Sequence, residues 1–549
     1  MSHYDVLFIH PPAVYDFRQK IIFPGIFGSS LESVQYTKVP IGLLSLAEYL
    51  DRYGYKVRID NIGDRMVSSP DLDVEEHLKN TSARIYAIGL HFQWHAQGAL
   101  EIARLCKQLH PHSMVVMGGL TATCFHEEIL QKYEFVDAVI RGEAEMPFLE
   151  FLKGLEKGLD KASLPNLTFR TETGEVISTP LSVPVVDLDQ FEYTRFDLLE
   201  PRTSVINEVE VPRWSLEVCR GCVYNCAICG GSAYTYRKYL GRRKPAFRSP
   251  SKIVRDIKLL NEQGIHSIGL YQDPRMGGKA YWQELLSTLH REDPQIDSLS
   301  LDLLVPADED FIRDIAAIGK SITVHICPDT GCNSVRRKLG RHYSTERLLE
   351  TIRLCHKYFI QVTSFFSVGL AEENNENLNE TWELWDKLSS LEQIALTRGN
   401  EWELGSKILL GGPILGPIML DPGSLAFDNP AQYGYKLLFR NLAEYVHGLS
   451  QPSWHQWLNY ETESLNKTAI LEMIVRSIDF TIDQRAEYGL FTPAQAESQR
   501  RRLKADIAAM NGVNRLMVLE DPADREAKLK DLRRQYDAYL GHSRPGQPG

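Results

Sequence analysis

Four cysteines lie close together in this 549-residue chain, at Cys219, Cys222, Cys226 and Cys229. The last three have the spacing C-x3-C-x2-C. Three thiolates on one short loop can each bind one iron of a [4Fe-4S] cluster and leave the fourth iron open for a small-molecule ligand. A zinc site that uses Cys219 as its fourth thiolate is the alternative, but zinc loops favour paired C-x2-C units and no second pair follows. The spacing therefore favours an iron-sulfur cluster.

The composition is that of a folded, enzyme-sized protein. Charged residues make up 24% and hydrophobic residues 43% of the chain. The formal charge of -11, from 61 basic and 72 acidic residues, argues against a protein that mainly coats nucleic acid or an anionic membrane. The N-terminus has no basic segment followed by an apolar one, and the longest apolar stretch is interrupted by Gly and Pro. We therefore expect a cytoplasmic protein with no membrane association.

Residues 1–150 alternate apolar runs with helical periods, as in a doubly wound α/β domain with a parallel sheet. Strands are predicted at 6–9, 56–60, 85–90, 114–117 and 138–140. Ligands of such sheets bind beyond the carboxyl ends of the strands. Gly118 and Gly119 follow the fourth strand, where backbone without side chains can approach a bulky ligand; an ordinary tight turn is the alternative.

A second alternation of strands and helices occupies residues 206–425, after a connector at 151–205 that contains a predicted hairpin. It comprises about six β/α units, with the last strand at 406–410, and predicts a partial parallel barrel. Chemistry in such barrels occurs at the carboxyl ends of the strands, and the cysteines directly follow the first of them. Residues 426–549 are predicted to be helical, with Trp454, Trp457 and Tyr460 either lining a substrate pocket or packing in the core.

The cysteine loop resembles the cluster motif of the radical S-adenosylmethionine (SAM) superfamily, C-x3-C-x-φ-C after the first strand of a β/α barrel. The resemblance implies that Cys222, Cys226 and Cys229 bind the cluster and that SAM chelates the open iron. The φ position, usually aromatic, is Ile228 here, and an aliphatic side chain can still pack on adenine. Cys219 is an additional cysteine, either a spectator thiol or a residue with a structural or redox role.

Other segments resemble the subgroup of this superfamily that has an N-terminal cobalamin-binding domain. In the family order they are Pro11-Pro12, 39–48, Gly118-Gly119, the RGEAE segment 141–145, the cysteine loop and 366–370. The resemblance implies that Gly118 and Gly119 face the nucleotide tail of cobalamin. Many cobalamin domains supply the lower ligand of cobalt from a D-x-H-x-x-G motif, and the nearest match here, at 93–98, lacks the Asp. We expect His95 to start a helix rather than to bind cobalt.

Further polar residues follow the barrel strands. Asp329 and Ser364 resemble positions that touch the ribose or methionine part of SAM in relatives, and a structural role is the alternative for each. Eight basic residues and no acidic one lie between Tyr236 and Arg255. This run can recruit an anionic group, although a solvated surface is the commoner explanation of such a run.

The resemblance implies a cobalamin-dependent radical SAM enzyme. In that chemistry an electron enters the cluster, SAM is cleaved to methionine and a 5′-deoxyadenosyl radical, and methylcobalamin delivers a methyl group to the substrate radical. We expect a methyltransferase that acts on an unactivated carbon of a small molecule, with an electron donor such as flavodoxin or ferredoxin. A cyclase or oxidoreductase without net methyl transfer and a cobalamin-binding sensor are the alternatives. A tRNA methylthiotransferase is disfavoured because those relatives carry a second cysteine triad in the N-terminal domain, where this chain has only Cys106 and Cys124. Nucleic acid is not an expected partner.

Overall fold

The computed structural model describes residues 3–23, 38–202, 213–319, 321–397 and 414–541. These residues form two large, mainly parallel sheets, each covered by helices, and a C-terminal region that packs against both. Among the helices of the described residues, none combines the length and hydropathy that crossing a membrane requires.

The first sheet has eight strands in the order β7-β6-β5-β4-β3-β1-β2-β8. In chain order, β1 to β8 are His3–His10, Val57–Asn61, Ser82–Gly89, Met114–Gly118, Ala138–Ile140, Leu167–Arg170, Val176–Ser178 and Leu199–Glu200. The inner strands are parallel, and β6 and β7 form an antiparallel hairpin at one edge. The inner order 2-1-3-4-5 is a doubly wound topology, as predicted, with its ligand-binding switch point between β1 and β3.

The alternation of apolar side chains explains why the inner strands are buried on both faces. On β1, Val6 and Phe8 pack into one core, whereas Leu7 and Ile9 pack into the other. Within the described residues, seven helices cover this sheet: α1 to α7 are Ile41–Arg52, Ile62–Ser68, Val74–Asn80, Ala96–Leu109, Leu120–Cys124, His126–Lys132 and Glu145–Glu156. The predicted hairpin within 151–205 is present, and it joins this sheet together with β8, so the segment interpreted as a connector completes the first unit. The division at residue 150 stays a prediction.

The second sheet is parallel, with six strands in a sequential order that has β9 and β16 at opposite edges, as in an open barrel. Its strands are β9 Arg213–Glu217, β12 Ser267–Tyr271, β13 Ser298–Leu303, β14 Ser321–Asp329, β15 Gln361–Ser367 and β16 Ile414–Gly416, and a small hairpin is formed by β10 Cys219–Arg220 and β11 Ala246–Phe247. The predicted partial barrel is therefore confirmed. The strand predicted at 406–410 lies outside the described residues.

The helices of the second unit, α8 to α14, are Ala233–Tyr239, Pro250–Glu262, Lys279–Glu292, Glu309–Ala316, Asn333–Lys338, Thr345–Lys357 and Asn375–Thr397. The C-terminal region has helices α15 to α19, Leu425–Asp428, Leu442–Leu449, Lys467–Glu487, Pro493–Met517 and Pro522–Leu540, with the hairpin β17 Tyr435–Leu437 and β18 Tyr460–Thr462. This region packs against both units. Its helix α16 shares an apolar core with α4 of the first unit, and Phe480 of α17 stacks on Trp382 of α14 in the second unit. Trp457 and Tyr460 are buried in these cores, so core packing accounts for both aromatic residues.

Candidate active site at the facing edges of the two sheets

The cysteine loop starts at a turn that only glycine can make. Gly221 has a φ of +107°, and a Cβ there would lie 2.9 Å from the Cα of Pro245. Further along the loop, the Ala227 N–H donates to the carbonyl of Leu339 at 2.8 Å, and the Cys229 N–H donates to the carbonyl of Cys226 at 3.2 Å. These backbone contacts hold the loop at the carboxyl end of the barrel, as the sequence predicted.

Backbone amides support two of the three thiols in the loop. The Tyr224 N–H donates to Sγ of Cys222 at 3.4 Å, and the Gly231 N–H donates to Sγ of Cys229 at 3.3 Å. Burial raises the pKa of all three thiols, that of Cys229 to about 12, and a metal must therefore displace the protons on binding. Hydrogen bonds to cysteine sulfur are one way in which proteins tune iron-sulfur clusters.

Arg341, which the sequence analysis missed, carries a positive charge beside the thiols. Its charge lowers the pKa of Cys222, Cys226 and Cys229 against the effect of burial, and its Nε forms an ion pair with Asp329 at the end of β14. Burial alone would lower the pKa of Arg341, but the negative charges of Asp329 and Cys226 outweigh that effect and raise the pKa above its ordinary value. The guanidinium therefore stays charged. The predicted cofactor residue Asp329 is thus part of this site, and its contact with SAM stays a prediction.

The donor set fits a cluster in which each thiolate binds a separate iron. Among the described residues, no group of three or more His, Cys, Asp or Glu side chains converges on one metal ion. A [4Fe-4S] cluster does not require its three thiolates to meet at one point, whereas a tetrahedral zinc ion does. Cys219 lies in β10, is buried, and its thiol donates to the carbonyl of Gly221 at 3.7 Å. That position is consistent with the spectator role that the sequence analysis left open.

The other predicted SAM residues occupy different positions. Ile228 is partly buried against a small apolar cluster that includes Val335 and Leu370. Ser364 pairs with Ile326 in the sheet and shares its face with Phe366, which packs on Trp385 of α14. Ser364 therefore lies on the helix-covered side of β15. The roles of Ile228 and Ser364 in cofactor binding stay predictions.

Two acidic residues of the RGEAE segment bind the base of the cysteine loop. Glu143 accepts two hydrogen bonds from Arg242, at 2.6 and 2.7 Å, and Glu145 accepts two from Arg220, at 2.6 and 3.1 Å. Arg220 also donates to Glu217 at 2.8 Å and is nearly inaccessible to solvent. Because Glu143 and Glu145 follow β5, this network brings the carboxyl edge of the first sheet against the cysteine loop.

Ion pairs account for more than half of the basic run between Tyr236 and Arg255. Five of its eight basic residues pair with acidic side chains of the protein itself: Lys238 with Asp428, Arg242 with Glu143, Arg248 with Asp256, Lys252 with Asp256, and Arg255 with Glu192. The interpretation of the run as a solvated surface is therefore wrong for Arg242, Arg248 and Lys252, which are buried. Lys238 and Arg255 are exposed, as that interpretation expects.

The carboxyl edge of the first sheet contains the switch point between β1 and β3, where ligands of doubly wound sheets bind. Gly119 has a φ of +107°, and a Cβ there would lie 2.6 Å from the carbonyl oxygen of Leu90. This tight turn brings the backbone of Gly118 and Gly119 against the loop after β3. His95 directly precedes α4, as predicted, and burial lowers the pKa of His91 to about 4, so that imidazole is neutral. Glycine backbone at a switch point allows a bulky ligand to approach closely, and the contact of Gly118 and Gly119 with cobalamin stays a prediction.

Comparison with known proteins agrees with this arrangement. Residues 30–152 match the family model of the B12 binding domain, and residues 216–384 match that of the radical SAM superfamily. An uncharacterised methyltransferase of Pyrococcus horikoshii, PH0819, is 22% identical over 371 residues, which cover 67% of this chain and 77% of the relative. The anaerobic magnesium-protoporphyrin IX monomethyl ester cyclase of Rubrivivax gelatinosus is 23% identical over 305 residues, which cover 53% of this chain and 51% of the relative.

A solved structure extends the similarity over nearly the whole fold. The radical SAM methyltransferase TsrM of Kitasatospora setae, solved with cobalamin and a [4Fe-4S] cluster, superposes with a TM-score of 0.61 at 15% identity, over 98% of this chain and 99% of TsrM. At that identity the match shows a shared fold. The two family models and the geometry together assign the chain: it belongs to the radical SAM enzymes with a cobalamin-binding domain, whose cofactors are a [4Fe-4S] cluster, SAM and cobalamin.

Proposed function

We propose that this chain is a cobalamin-dependent radical SAM methyltransferase that methylates an unactivated carbon of a small molecule. The observation that carries the proposal is the contact between the carboxyl edge of the B12-binding domain and the cysteine loop, through Glu143, Glu145, Arg220 and Arg242. This contact supports an arrangement in which the two proposed cofactor sites face each other. Methyl transfer from a corrinoid to a carbon radical formed beside the cluster would require such an arrangement.

The residues of the chain bind and orient the cofactors. Cys222, Cys226 and Cys229 are the proposed cluster ligands, and Arg341 is placed to neutralise their charge and to pair with the carboxylate of SAM. When bound, the cluster supplies the electron that cleaves SAM, and cobalamin supplies the methyl group. The protein contributes position and shielding from water, which the buried ion pairs around Arg220 provide at the base of the loop.

The similarity to PH0819 and TsrM, both described as methyltransferases, supports this function. TsrM has also been solved with tryptophan as its substrate, which makes a small molecule the favoured substrate class for this chain. A cyclase or oxidoreductase without net methyl transfer is the second candidate, and the similarity to the Rubrivivax cyclase favours it. The two functions differ in their products, because only methyl transfer forms S-adenosylhomocysteine together with 5′-deoxyadenosine.

The electron donor we propose is an acidic one-electron carrier such as a flavodoxin or ferredoxin. The side chain of Val223 in the cysteine loop is half exposed, and Asn225 beside it is also exposed. Arg337 and His342 are exposed on either side of Leu339, whose carbonyl binds the loop at Ala227. Basic side chains next to an exposed edge of the cluster loop fit an acidic donor.

The test is reconstitution of the full chain with iron, sulfide and cobalamin under anaerobic conditions, followed by SAM and a reductant. S-adenosylhomocysteine and 5′-deoxyadenosine are then quantified by mass spectrometry. Methyl transfer predicts both products, and both are lost in Cys222→Ala. Cys219→Ala is the matched control, because its thiol binds only the carbonyl of Gly221 among the described residues, and it keeps both products.

Each other outcome changes the proposed function. Formation of 5′-deoxyadenosine alone supports the cyclase or oxidoreductase. Formation of S-adenosylhomocysteine alone indicates methyl transfer without a substrate radical. Retention of both products in Cys222→Ala contradicts the cluster assignment.

A further inference from the structure

Asp421 connects the two cofactor-binding units through its two carboxylate oxygens. Its Oδ2 accepts a hydrogen bond from the Gly230 N–H at 2.8 Å, and its Oδ1 accepts one from Nε2 of Gln93 at 2.9 Å. Gly230 directly follows the predicted cluster ligand Cys229, and Gln93 belongs to the B12-binding domain. One side chain therefore bridges the cluster loop and the cobalamin-binding domain.

Gln93 lies at the ligand-binding edge of its domain. It follows β3, three residues after Leu90, whose carbonyl contacts the turn at Gly119. Its side chain is 4% exposed, so its amide is fixed rather than solvated. A shift of Gln93 would move the loop that follows β3 at the switch point.

Gly230 gives the bridge its close approach on the cluster side. A Cβ at Gly230 would lie 2.9 Å from the Cβ of Asp421, so a larger residue would push the two segments apart. The carboxylate is therefore held directly beside the residue that follows the third cysteine.

We propose that Asp421 and Gln93 are positioning residues that fix the cluster relative to cobalamin. Neither side chain needs to touch a reacting atom: Asp421 orients the end of the cluster loop, and Gln93 ties that end to the edge where cobalamin binds. The proposal rests on the two cofactors being bound, as the assigned family implies, and not on whether the reaction is methyl transfer or cyclisation.

The hydrogen-bonding capacity of the two side chains allows a cycle of substitutions that separates positioning from general stability. Burial raises the pKa of Asp421, and in Gln93→Glu a second carboxylate faces it. The variants are therefore compared at a pH high enough to ionise both carboxylates, where no donor remains between them and the bridge breaks. In Asp421→Asn, the oxygen of the introduced amide can accept from the Gly230 N–H. Its nitrogen can donate to Oε1 of Gln93 once the Gln93 amide has turned over. In the double variant, the introduced asparagine amide donates to the introduced carboxylate, and the bridge forms again.

The segment that contains Asp421 also offers a matched control. Asp428 accepts hydrogen bonds from Tyr234 at 2.8 Å and Tyr239 at 2.9 Å and forms an ion pair with Lys238, all on α8 of the barrel unit. Asp428→Asn removes the same charge from the same segment but leaves the link to Gln93 intact. It tests whether any loss of packing in this segment produces the same effect.

The readout is the magnetic interaction between cob(II)alamin and the reduced [4Fe-4S] cluster, measured by electron paramagnetic resonance on the loaded full chain without substrate. Both centres are paramagnetic, and their coupling depends on their separation and orientation. Iron and cobalamin contents are measured on the same samples. This readout requires no turnover, so failure of the proposed methyl transfer does not affect it.

The proposal expects Gln93→Glu to change or broaden the coupling, Asp421→Asn to change it less, and the double variant and Asp428→Asn to resemble the unsubstituted protein. Since misplacement of reacting groups by about 1 Å can lower a rate on the order of 100-fold, the yield of S-adenosylhomocysteine per 5′-deoxyadenosine should fall in Gln93→Glu and recover in the double variant. Wild-type coupling in Gln93→Glu, or a double variant as defective as Gln93→Glu, would overturn the proposal. An equal change in Asp428→Asn would also overturn it.

Discussion

Replacement of Arg220 by methionine should destabilise the contact between the two units more than any single surface change. Arg220 is buried and donates to Glu145 at 2.6 and 3.1 Å and to Glu217 at 2.8 Å. Methionine keeps much of the apolar length of the side chain but removes the charge. The carboxylates of Glu145 and Glu217 then lose the cation that neutralises them. Breaking a buried ion pair from one side costs about 3 to 5 kcal/mol, and we expect this loss in the free energy of unfolding near neutral pH.

The loss in the free energy of unfolding should be smaller at low pH than at high pH. Burial alone would raise the pKa of Glu145, but the charge and hydrogen bonds of Arg220, with a smaller contribution from Ser45, lower it below its ordinary value. Without Arg220 the burial effect dominates, and the folded variant holds a proton that the unfolded chain releases. The variant therefore gains stability as the pH falls, by about 1.4 kcal/mol per pH unit for each proton held, and the difference from wild type shrinks.

Urea unfolding followed by tryptophan fluorescence, at about pH 8 and about pH 5.5, measures both effects through the first unfolding transition. The double variant Arg220→Met with Glu145→Met is the control, because apolar replacement of both partners of a buried pair often restores stability. A loss below about 1 kcal/mol at the higher pH would mean that the pair is no stronger than an exposed one. A pH-independent loss, or no recovery in the double variant, would also refute the reasoning.

Further predictions concern the cofactor sites and one buried acid. Arg341→Met removes the charge beside the thiols, so the Kd for SAM should rise by about tenfold or more in calorimetric titration at unchanged iron content; an unchanged Kd contradicts the proposed role. Gly119→Ala forces a side chain into backbone at a φ of +107° and should reduce bound cobalamin and the thermal midpoint, whereas Gly118→Ala, with more room, should have a smaller effect. Burial raises the pKa of Glu373 to about 7, so stability should fall as pH rises from about 4.5 to about 7 and then level off; Glu373→Gln should lack that slope in urea midpoints.

Local periodicity in the sequence predicted most of the scaffold. The inner strands of the first sheet and the sequential strands of the barrel were identified because apolar side chains on both faces of a parallel strand leave a continuous run. Face and register were harder to predict. Ser364 resembles a position that touches SAM in relatives, but it shares a face of β15 with Phe366, which packs on Trp385, and that is the helix-covered face.

The residues that the sequence analysis missed are those whose partners are distant along the chain. Asp421 binds Gly230 across 191 residues and Gln93 across 328, and no local pattern marks either contact. Arg341 follows several other basic residues, and only the packing of its loop on the cysteine loop distinguishes it. Spacing revealed the thiols because all three lie on one loop, whereas the groups around them are brought together only by the tertiary fold.

The most direct test of the central claim follows the methyl group of SAM. The loaded enzyme is incubated with SAM that carries deuterium in its methyl group, and the labelled products are identified by mass spectrometry. Methyltransferase activity predicts labelled methyl groups in a product other than SAM, methionine and methylcobalamin. The amount of S-adenosylhomocysteine then equals the label in that product plus the label in methylcobalamin. If 5′-deoxyadenosine forms while all of the label stays in SAM and methionine, methyl transfer is contradicted and a cyclase or oxidoreductase takes its place.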